Sequence, residues 1–169
     1  MDIQQRAIDL VSSRFGAGLQ GEGAFRDQRW VVVDRASIVG VLTALRDELG
    51  FRFLMDLTCV DWQGWAAGPP PATERFTVVY QLYAQEQNCY FRVKVDVPES
   101  DPEVPTVSTL WPCAPWAERE VWDQYGIRFA GLVDHRRLLN PMDYTGHPLR
   151  KDYPLIGRGE RSNFPQYVK

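Results

Sequence analysis

The sequence lacks any long, uncharged apolar run. Although 44% of its 169 residues are hydrophobic, no window approaches the roughly 18 or more apolar residues that a membrane-spanning helix needs. The first residues, Met1 to Arg6, carry acid and amide groups and do not resemble a secretory signal, which starts basic and continues apolar. We therefore expect a soluble, cytosolic chain of one domain and a tail, which meets a membrane only through a partner.

Cysteine and histidine are also scarce. The three cysteines include no Cys-x-x-Cys pair, which argues against a disulfide framework and against an iron–sulfur or zinc site, so we expect buried free thiols. The two histidines, His135 and His147, form no metal-binding pair. Gly157-Arg-Gly159 is too short, and wrongly placed, for a dinucleotide or phosphate loop. The sequence thus predicts no metal and no cofactor in this chain.

Positive charge is in short supply over most of the sequence. The net charge is −3, but residues 1–127 hold 11 Lys/Arg against 18 Asp/Glu, whereas residues 128–169 hold 8 against 4. A single-stranded nucleic-acid binder would use such a basic, aromatic-bearing tail. The isoelectric point near 5.4 argues against that function, because such domains are usually strongly basic.

Periodicity predicts most of the regular structure. The clearest signal is a β-hairpin, because apolar residues alternate in 76–82 and 91–97 and only residues 84–88 separate the two runs. Apolar stripes and closing glycines also predict helices over 2–15, 36–49 and 115–125, and β-branched runs predict strands over 30–33 and 53–60. Gly68 to Pro71 reads as a stiff linker.

These elements indicate an α+β fold in which helices pack on one face of a mainly antiparallel sheet, followed by a helix and an extended C-terminal tail. We place the core domain at 1–127 and a partner-binding tail at 128–169. Prolines and glycines interrupt the tail, yet it carries too many large apolar residues, Phe164 and Tyr167 among them, for a solvated disordered segment. A partner is therefore expected to cover it.

The helix over 115–125 concentrates charges and aromatics. Glu118, Glu120 and Asp123 could form an acid–base site, but Glu118 and Glu120 point to different helix faces, and Arg119 lies between them and can pair with Asp123. Together with Trp116 and Trp122, they are more typical of an interface with aromatic anchors.

A second polar stretch lies in the tail, at His147, Arg150, Lys151, Asp152 and Tyr153. A stand-alone enzyme could use His147 with Asp152 or Glu120, but a single histidine before a proline is more often structural. We interpret this stretch as a recognition segment that a partner holds.

Several motifs together carry a family resemblance: Glu118-Arg119-Glu120-Val-Trp-Asp123, Arg136-Arg-Leu-Leu139 and Gly146-His-Pro-Leu-Arg-Lys-Asp-Tyr-Pro-Leu155. Shorter landmarks occur in order before them, including Val60-Asp61 and Arg75-Phe76. The chain resembles the 30 kDa subunit family, also called the C subunits, of the proton-pumping NADH:quinone oxidoreductase, respiratory complex I. Two departures are Gln124, in place of a hydrophobic residue, and Leu132-Val133, in place of His-Pro.

The resemblance implies a non-catalytic subunit of the peripheral arm, inactive in isolation, in a complex that couples electron transfer from NADH to quinone with proton translocation. FMN and iron–sulfur clusters would belong to partner subunits. The chain would dock on the quinone-site (D) subunit, near the iron–sulfur B and I subunits, at the cytoplasmic face of the bacterial inner membrane. The alternative is the equivalent subunit of a related membrane-bound hydrogenase or formate-oxidising complex. The expected interface residues are Trp116, Glu118, Arg119, Glu120, Trp122, Asp123, Arg136, His147, Arg150, Lys151, Asp152 and Tyr153.

Overall fold

The computed structural model describes residues 2–67 and 72–159, so the predicted linker at Gly68 to Pro71 and the apolar residues Phe164 and Tyr167 lie outside the described residues. The elements follow in chain order: α1 Ile3–Phe15, β1 Leu19–Phe25, β2 Gln28–Val33, α2 Ile38–Leu49, β3 Phe53–Asp61, β4 Phe76–Ala84, β5 Cys89–Val97, β6 Glu103–Pro105, α3 Ala114–Tyr125 and β7 Arg128–Ala130.

Five strands form one mixed sheet in the order β1-β2-β5-β4-β3, and β6 and β7 form a small parallel pair. Strand β2 runs parallel to β5, whereas the other three pairings are antiparallel. The predicted hairpin is β4–β5, in which Phe76 pairs with Val97 and Ala84 with Cys89. The α+β prediction is confirmed.

Strand alternation determines which face of the sheet is covered. Phe76, Val78, Tyr80 and Leu82 of β4 are fully buried, as are the alternate residues of β5 from Phe91 to Val97. Helices α1 and α2 contribute their apolar stripes to the same core, and α3 packs against β3. None of the described helices lies on the opposite face of the sheet.

Glycine ends two helices as predicted. Gly50 follows α2 with a φ of +77°, and Gly126 follows α3 with a φ of +78°, both in the left-handed region that glycine adopts without steric cost. Gly16, which follows α1, instead keeps a right-handed helical conformation, so the chain turns further before β1 begins.

The predicted boundary after residue 127 falls inside a packed region. Arg128–Ala130 forms β7 rather than extended tail, and Phe129 is fully buried in the core. Leu132, which stands where the family pattern has a histidine, is 8% exposed and also joins the core. In the part of the chain that the structure describes, no helix is both long and apolar enough to cross a membrane.

Candidate functional site

The C-terminal strap, defined here as residues 134–159, is fastened to α3 by one carboxylate. Asp123 is completely buried, and its Oδ2 accepts hydrogen bonds from the backbone amides of Leu138, Leu139 and Asn140 at 3.1, 2.8 and 2.9 Å. Its Oδ1 lies 2.6 Å from Arg137 Nη1 and 3.1 Å from Asn140 Nδ2. Burial alone would raise the pKa of Asp123, but the hydrogen bonds from Asn140, Leu139 and Arg137 lower it to about 2.

Arg137 is held between two aromatic rings. Its guanidinium carbon lies 5.4 Å from the Trp122 ring centroid and 5.5 Å from that of Tyr144. Besides its ion pair with Asp123, Nη1 donates to the carbonyl of Gly146 at 3.0 Å. A buried guanidinium that is paired with a carboxylate and held between two rings fixes the path of the strap.

The strap also closes the C-terminal end of α3, where the last carbonyls have no partner within the helix. His147 Nδ1 lies 3.1 Å from the carbonyl of Asp123, the amide of Leu149 donates to the carbonyl of Gln124 at 3.1 Å, and Arg150 Nε donates to that of Tyr125 at 2.6 Å. The positive charge of Arg150 is favourable at this end of the helix dipole.

His147 and Gly126 fit closely at this closure. Burial lowers the pKa of His147, an effect that its hydrogen bond to the Asp123 backbone only partly opposes. A Cβ on Gly126 would come within 2.7 Å of His147 Nε2 and 2.8 Å of Arg150 Nη2. Glycine is therefore required there both for its backbone conformation and for the close approach of the strap.

A second buried ion pair anchors the strap to the sheet. Arg75 Nη2 lies 2.8 Å from Asp61 Oδ2, and the two side chains are 10% and 0% exposed. The amide of Lys151 donates to the same Asp61 oxygen at 2.9 Å, and Arg75 Nη2 also reaches Asp152 Oδ1 at 2.8 Å. Burial opposes ionisation of Asp61, but the hydrogen bonds from Arg75, Lys151 and Gln63 lower its pKa overall.

Glu118 faces inward from α3. It is fully buried, and its carboxylate accepts from Thr106 Oγ1 at 2.6 Å and from the amide of Val107 at 2.7 Å. Burial raises the pKa of Glu118, and these hydrogen bonds only partly offset that effect. In this structure the Glu118 side chain connects α3 to the segment after β6. Glu118 and Asp123 are both buried, so neither side chain offers surface to a partner.

The predicted ion pair between Arg119 and Asp123 is wrong. Asp123 is turned inward to the strap, and Arg119 Nε and Nη2 donate to the carbonyls of Arg136 and Arg137 at 2.8 and 3.0 Å. Arg119 Nη1 also lies 3.6 Å from Asp134 Oδ2. Helix spacing permits the predicted contact, but the buried amides and guanidinium of the strap compete successfully for the carboxylate.

The structure therefore brings the two predicted stretches together, but not as an acid–base site. Asp123 and Glu118 each have a full set of partners, His147 binds the α3 backbone, and Asp152 binds Arg75. Among the described residues no cluster of His, Cys, Asp and Glu could hold a metal. The twelve predicted interface residues fall into three groups: Glu118 and Asp123 buried; Arg119, Trp122, His147, Arg150 and Tyr153 half-buried; Trp116, Glu120, Arg136, Lys151 and Asp152 exposed.

Sequence reasoning gave no role to Asp61, Arg75, Arg137 and Asn140. The Val60-Asp61, Arg75-Phe76 and Arg136–Leu139 motifs already marked three of these positions. However, pairing between Asp61 and the strap spans 90 residues of sequence, and no local pattern predicts it.

The outer surface of the strap exposes several large apolar side chains. Leu139, Met142 and Leu149 are 64%, 66% and 50% exposed, and Leu155 and Ile156 are essentially fully exposed. A hollow of about 730 Å³ opens between the end of α3 and the strap and is lined in part by Leu139 and Ile156. Contiguous exposed apolar surface of this kind marks an interaction site.

Comparisons with known proteins give one consistent result. Residues 31–159 match the model of a family described as the respiratory-chain NADH dehydrogenase 30 Kd subunit. The chain is 40% identical over 154 residues to the C subunit of NADH-quinone oxidoreductase from Geobacter metallireducens, with 91% of each chain covered. It is 44% identical over 131 residues to NADH-quinone oxidoreductase subunit 5 of Thermus thermophilus, with 75% of this chain and 61% of that protein covered.

Solved structures agree with the fold. A structure described as the trypsin-resistant fragment (1-134) of Nqo5 superimposes with a TM-score of 0.67 at 32% identity, covering 79% of this chain and 99% of the fragment. A chain of an archaeal membrane-bound sulfane sulfur reductase superimposes with a TM-score of 0.69 over 99% of this chain and 96% of its own length. At 19% identity, that second similarity shows the fold alone.

Proposed function

Because the chain belongs to the 30 kDa subunit family of respiratory-chain NADH dehydrogenase and is thereby a subunit of NADH-quinone oxidoreductase, we propose that it performs no catalytic step itself and acts by docking on a neighbouring subunit. The strap is its docking surface. Electron transfer from NADH to quinone, and the coupled proton translocation, then belong to the complex, and the isolated chain is inactive.

The observation that carries this proposal is the contrast between the two sides of the strap. Its inner side is fixed by two buried ion pairs, Arg137–Asp123 and Arg75–Asp61. Its outer side presents large apolar side chains that no described residue covers, Leu155 and Ile156 above all. Such a segment is ordered in advance, so a partner can bury its outer face with a smaller loss of conformational entropy.

The family resemblance supplies the proposed partner and location. The partner is the quinone-site (D) subunit, with the iron–sulfur B and I subunits nearby, and FMN and the iron–sulfur clusters reside in those other subunits. The complex holds the chain as a peripheral subunit at the cytoplasmic face of the bacterial inner membrane. Of the predicted interface residues, Trp116, Glu120, Arg136, Lys151 and Asp152 offer the most surface for this contact.

A fragment of Nqo5 that resists trypsin covers 79% of this chain, which supports a folded core that does not need the whole chain. The relatives that show the family are named as NADH-quinone oxidoreductase subunits, so the equivalent subunit of a hydrogenase or formate-oxidising complex is not favoured.

The test is a double substitution on the outer side of the strap, Leu155→Asp with Ile156→Asp, expressed in cells that lack the native subunit. We expect the complex to lose this chain on purification in mild detergent and membranes to lose NADH:quinone reductase activity. The melting temperature of the isolated chain should not change, because both side chains are exposed. The matched control is Phe25→Asp, which changes an apolar residue that is 67% exposed on β1.

Normal assembly of the Leu155→Asp, Ile156→Asp chain would contradict the docking proposal. Turnover of NADH with a quinone by the purified wild-type chain, free of other subunits, would contradict the absence of a catalytic step.

A further inference from the structure

The face of the sheet opposite the helices carries a feature that the strap does not explain. The strap lies on the helix side, because Asp61, to which it is anchored, alternates with the core residues Leu57 and Cys59 along β3. On the other face no described helix covers the sheet, and a hollow of about 350 Å³ opens across β3, β4 and β5. We call it the sheet groove; its lining includes Val60, Trp62, Val79, Gln81, Arg92 and Lys94.

Two positive charges, those of Arg92 and Lys94, lie side by side in the sheet groove, and neither side chain forms an ion pair with a described residue. Arg92 donates to two neutral amide oxygens, Gln81 Oε1 at 3.0 Å and Gln28 Oε1 at 2.8 Å. Lys94 Nζ lies 4.1 Å from the centroid of the Trp30 ring, and no described oxygen accepts a hydrogen bond from it. Burial lowers the pKa of Lys94, repulsion from Arg92 adds to that effect, and the charge of Asp96 opposes it only in part.

The two nearby carboxylates, Asp96 and Asp56, form no direct contact with this pair. Asp96 receives hydrogen bonds from the amide and hydroxyl of Thr73 and from the Thr77 hydroxyl, at 2.7 to 3.0 Å. Asp56 stands exposed on the rim and forms no ion pair with Arg92 or Lys94 in the described part of the chain. The sheet groove therefore offers donors in a half-buried setting, and no described carboxylate is in hydrogen-bond contact with Lys94 or Arg92.

The Trp30 ring holds the Lys94 side chain against the sheet. The Trp30 indole lies so close to β1 that a Cβ on Gly23 would come within 2.5 Å of its Cζ2 atom. Glycine at position 23 thus lets the ring lie flat on the sheet beside Lys94. A missing acceptor also appears behind Arg92, because Gln81 Nε2 is buried and has no hydrogen-bond partner among the described residues.

We propose that the sheet groove is a second docking site, filled by an aspartate or glutamate side chain of a neighbouring subunit that pairs with Lys94 and Arg92 while its aliphatic part lies on Val60 and Val79. This inference rests on the proposed function, since it takes the chain to be held within a complex. Charge complementarity indicates the occupant, because a carboxylate supplies the charged hydrogen-bond acceptor that neither Lys94 nor Arg92 contacts among the described residues. The chain is then contacted on opposite faces, by one neighbour at the strap and another at the groove.

The experiment places a photoreactive benzoylphenylalanine at Thr58, on the exposed rim of the sheet groove, and in a separate sample at Met142, on the strap. Both proteins are incorporated into the complex in membranes, irradiated and analysed by peptide mass spectrometry. We expect the probe at Thr58 to link to a peptide with an Asp or Glu next to the attachment point, and the probe at Met142 to link to a different peptide.

A charge swap then identifies the pairing. Lys94→Glu should lower recovery of the chain in the purified complex by at least about tenfold, and reversal of the linked acid to lysine should restore it. Lys94→Met, which keeps the length and loses the charge, should lower recovery less and leave the melting temperature of the isolated chain unchanged. Arg128→Glu, at a cation on β7 that is 68% exposed, is the control and should have no effect.

Three results would overturn the inference. The first is that the probe at Thr58 links to no protein, or only to lipid, while the probe at Met142 links to a subunit. The second is a linked peptide without an acidic residue, and the third is a charge swap that fails to restore recovery of the chain. In each of these cases the proposed function would still stand. If neither probe links to a subunit, the proposed function and this inference fail together.

Discussion

Arg137 and Asp123 form the ion pair that joins the strap to helix α3, with Nη1 2.6 Å from Oδ1 and side chains that are 7% and 0% exposed. The pair lies at the base of the surface that we propose as a docking site. Asp123 Oδ2 also accepts hydrogen bonds from the backbone amides of residues 138–140, so one carboxylate orders a whole turn of the strap.

Asp123→Asn should lower the free energy of unfolding by about 3 kcal/mol, because it leaves the buried guanidinium of Arg137 without its counterion. Urea unfolding measures the change, and faster tryptic cleavage after Arg136 and Arg137 should accompany it. The control is Asp134→Asn, because Asp134 pairs with Arg136 at the surface with side chains 37% and 70% exposed. Its cost should be clearly smaller, because solvent screens an exposed ion pair. Equal costs for both substitutions would contradict the importance of burial.

The free energy of unfolding should depend on pH in a way that reflects the ionisation of Asp123. The pKa of Asp123 is about 2 in the folded chain, below its ordinary value of 3.8. A carboxylate whose pKa is lower in the folded chain than in the unfolded chain stabilises the fold at pH values above its unfolded pKa. This stabilisation is lost as the pH falls through the folded pKa. We expect Asp123 to account for about 2 kcal/mol that is present at pH 6 and lost between about pH 4 and pH 2. The difference between wild type and Asp123→Asn should therefore shrink across that range, and a constant difference would contradict the assignment.

Gly126→Ala should destabilise the chain more than Gly50→Ala does. Both glycines end a helix with nearly the same φ, +78° and +77°, so an alanine introduces the same backbone strain of about 1 kcal/mol at either position. Only at Gly126 would the new methyl group also meet His147 and Arg150, whereas nothing approaches Gly50 closer than 3.9 Å. Thermal unfolding of the two variants gives the comparison, and equal shifts would mean that the strap does not press on α3.

Glu118→Gln and Glu118→Ala should separate the charge of this side chain from its hydrogen bonds. Burial raises the pKa of Glu118, so the loss of its charge costs little, and we expect the glutamine variant to lie within about 1 kcal/mol of wild type at pH 7. The alanine variant leaves the amide of Val107 without an acceptor and should cost about 1 to 3 kcal/mol more. Chemical denaturation of both proteins measures the difference, and similar losses would show that the charge itself is needed.

Thiol labelling should distinguish the three cysteines. Cys113 is exposed, although the sequence predicted a buried thiol, whereas Cys59 is 3% exposed, and burial raises the pKa of its thiol. In the native chain we expect Cys113 to react first and Cys59 last with a disulfide reagent, as mass spectrometry of the labelled peptides would show. Early labelling of Cys59 would contradict the packing of β3 under α3.

Local pattern predicted the elements whose own residues determine their structure. Alternation gave the β4–β5 hairpin, and the stripe and closing glycine gave α2 within two residues of its observed start. Pattern missed β1, because Gly21 and Gly23 have low strand propensity and the strand forms only by pairing with β2. It also missed β6 and β7, three residues each, which stabilise one another across 25 positions of sequence.

For the candidate site, the sequence by itself determined which stretches matter and which family the chain resembles, because those properties reside in residue types and their spacing. It did not determine how the charges are used. Helix spacing allows Asp123 to pair with Arg119 one turn away, yet Asp123 binds Arg137. Glu118 is buried and accepts a hydrogen bond from the amide of Val107. A buried charge must find its partners wherever the folded chain places them. Only the tertiary structure could therefore decide which carboxylates hold the strap down and which side chains remain on the surface for a neighbour.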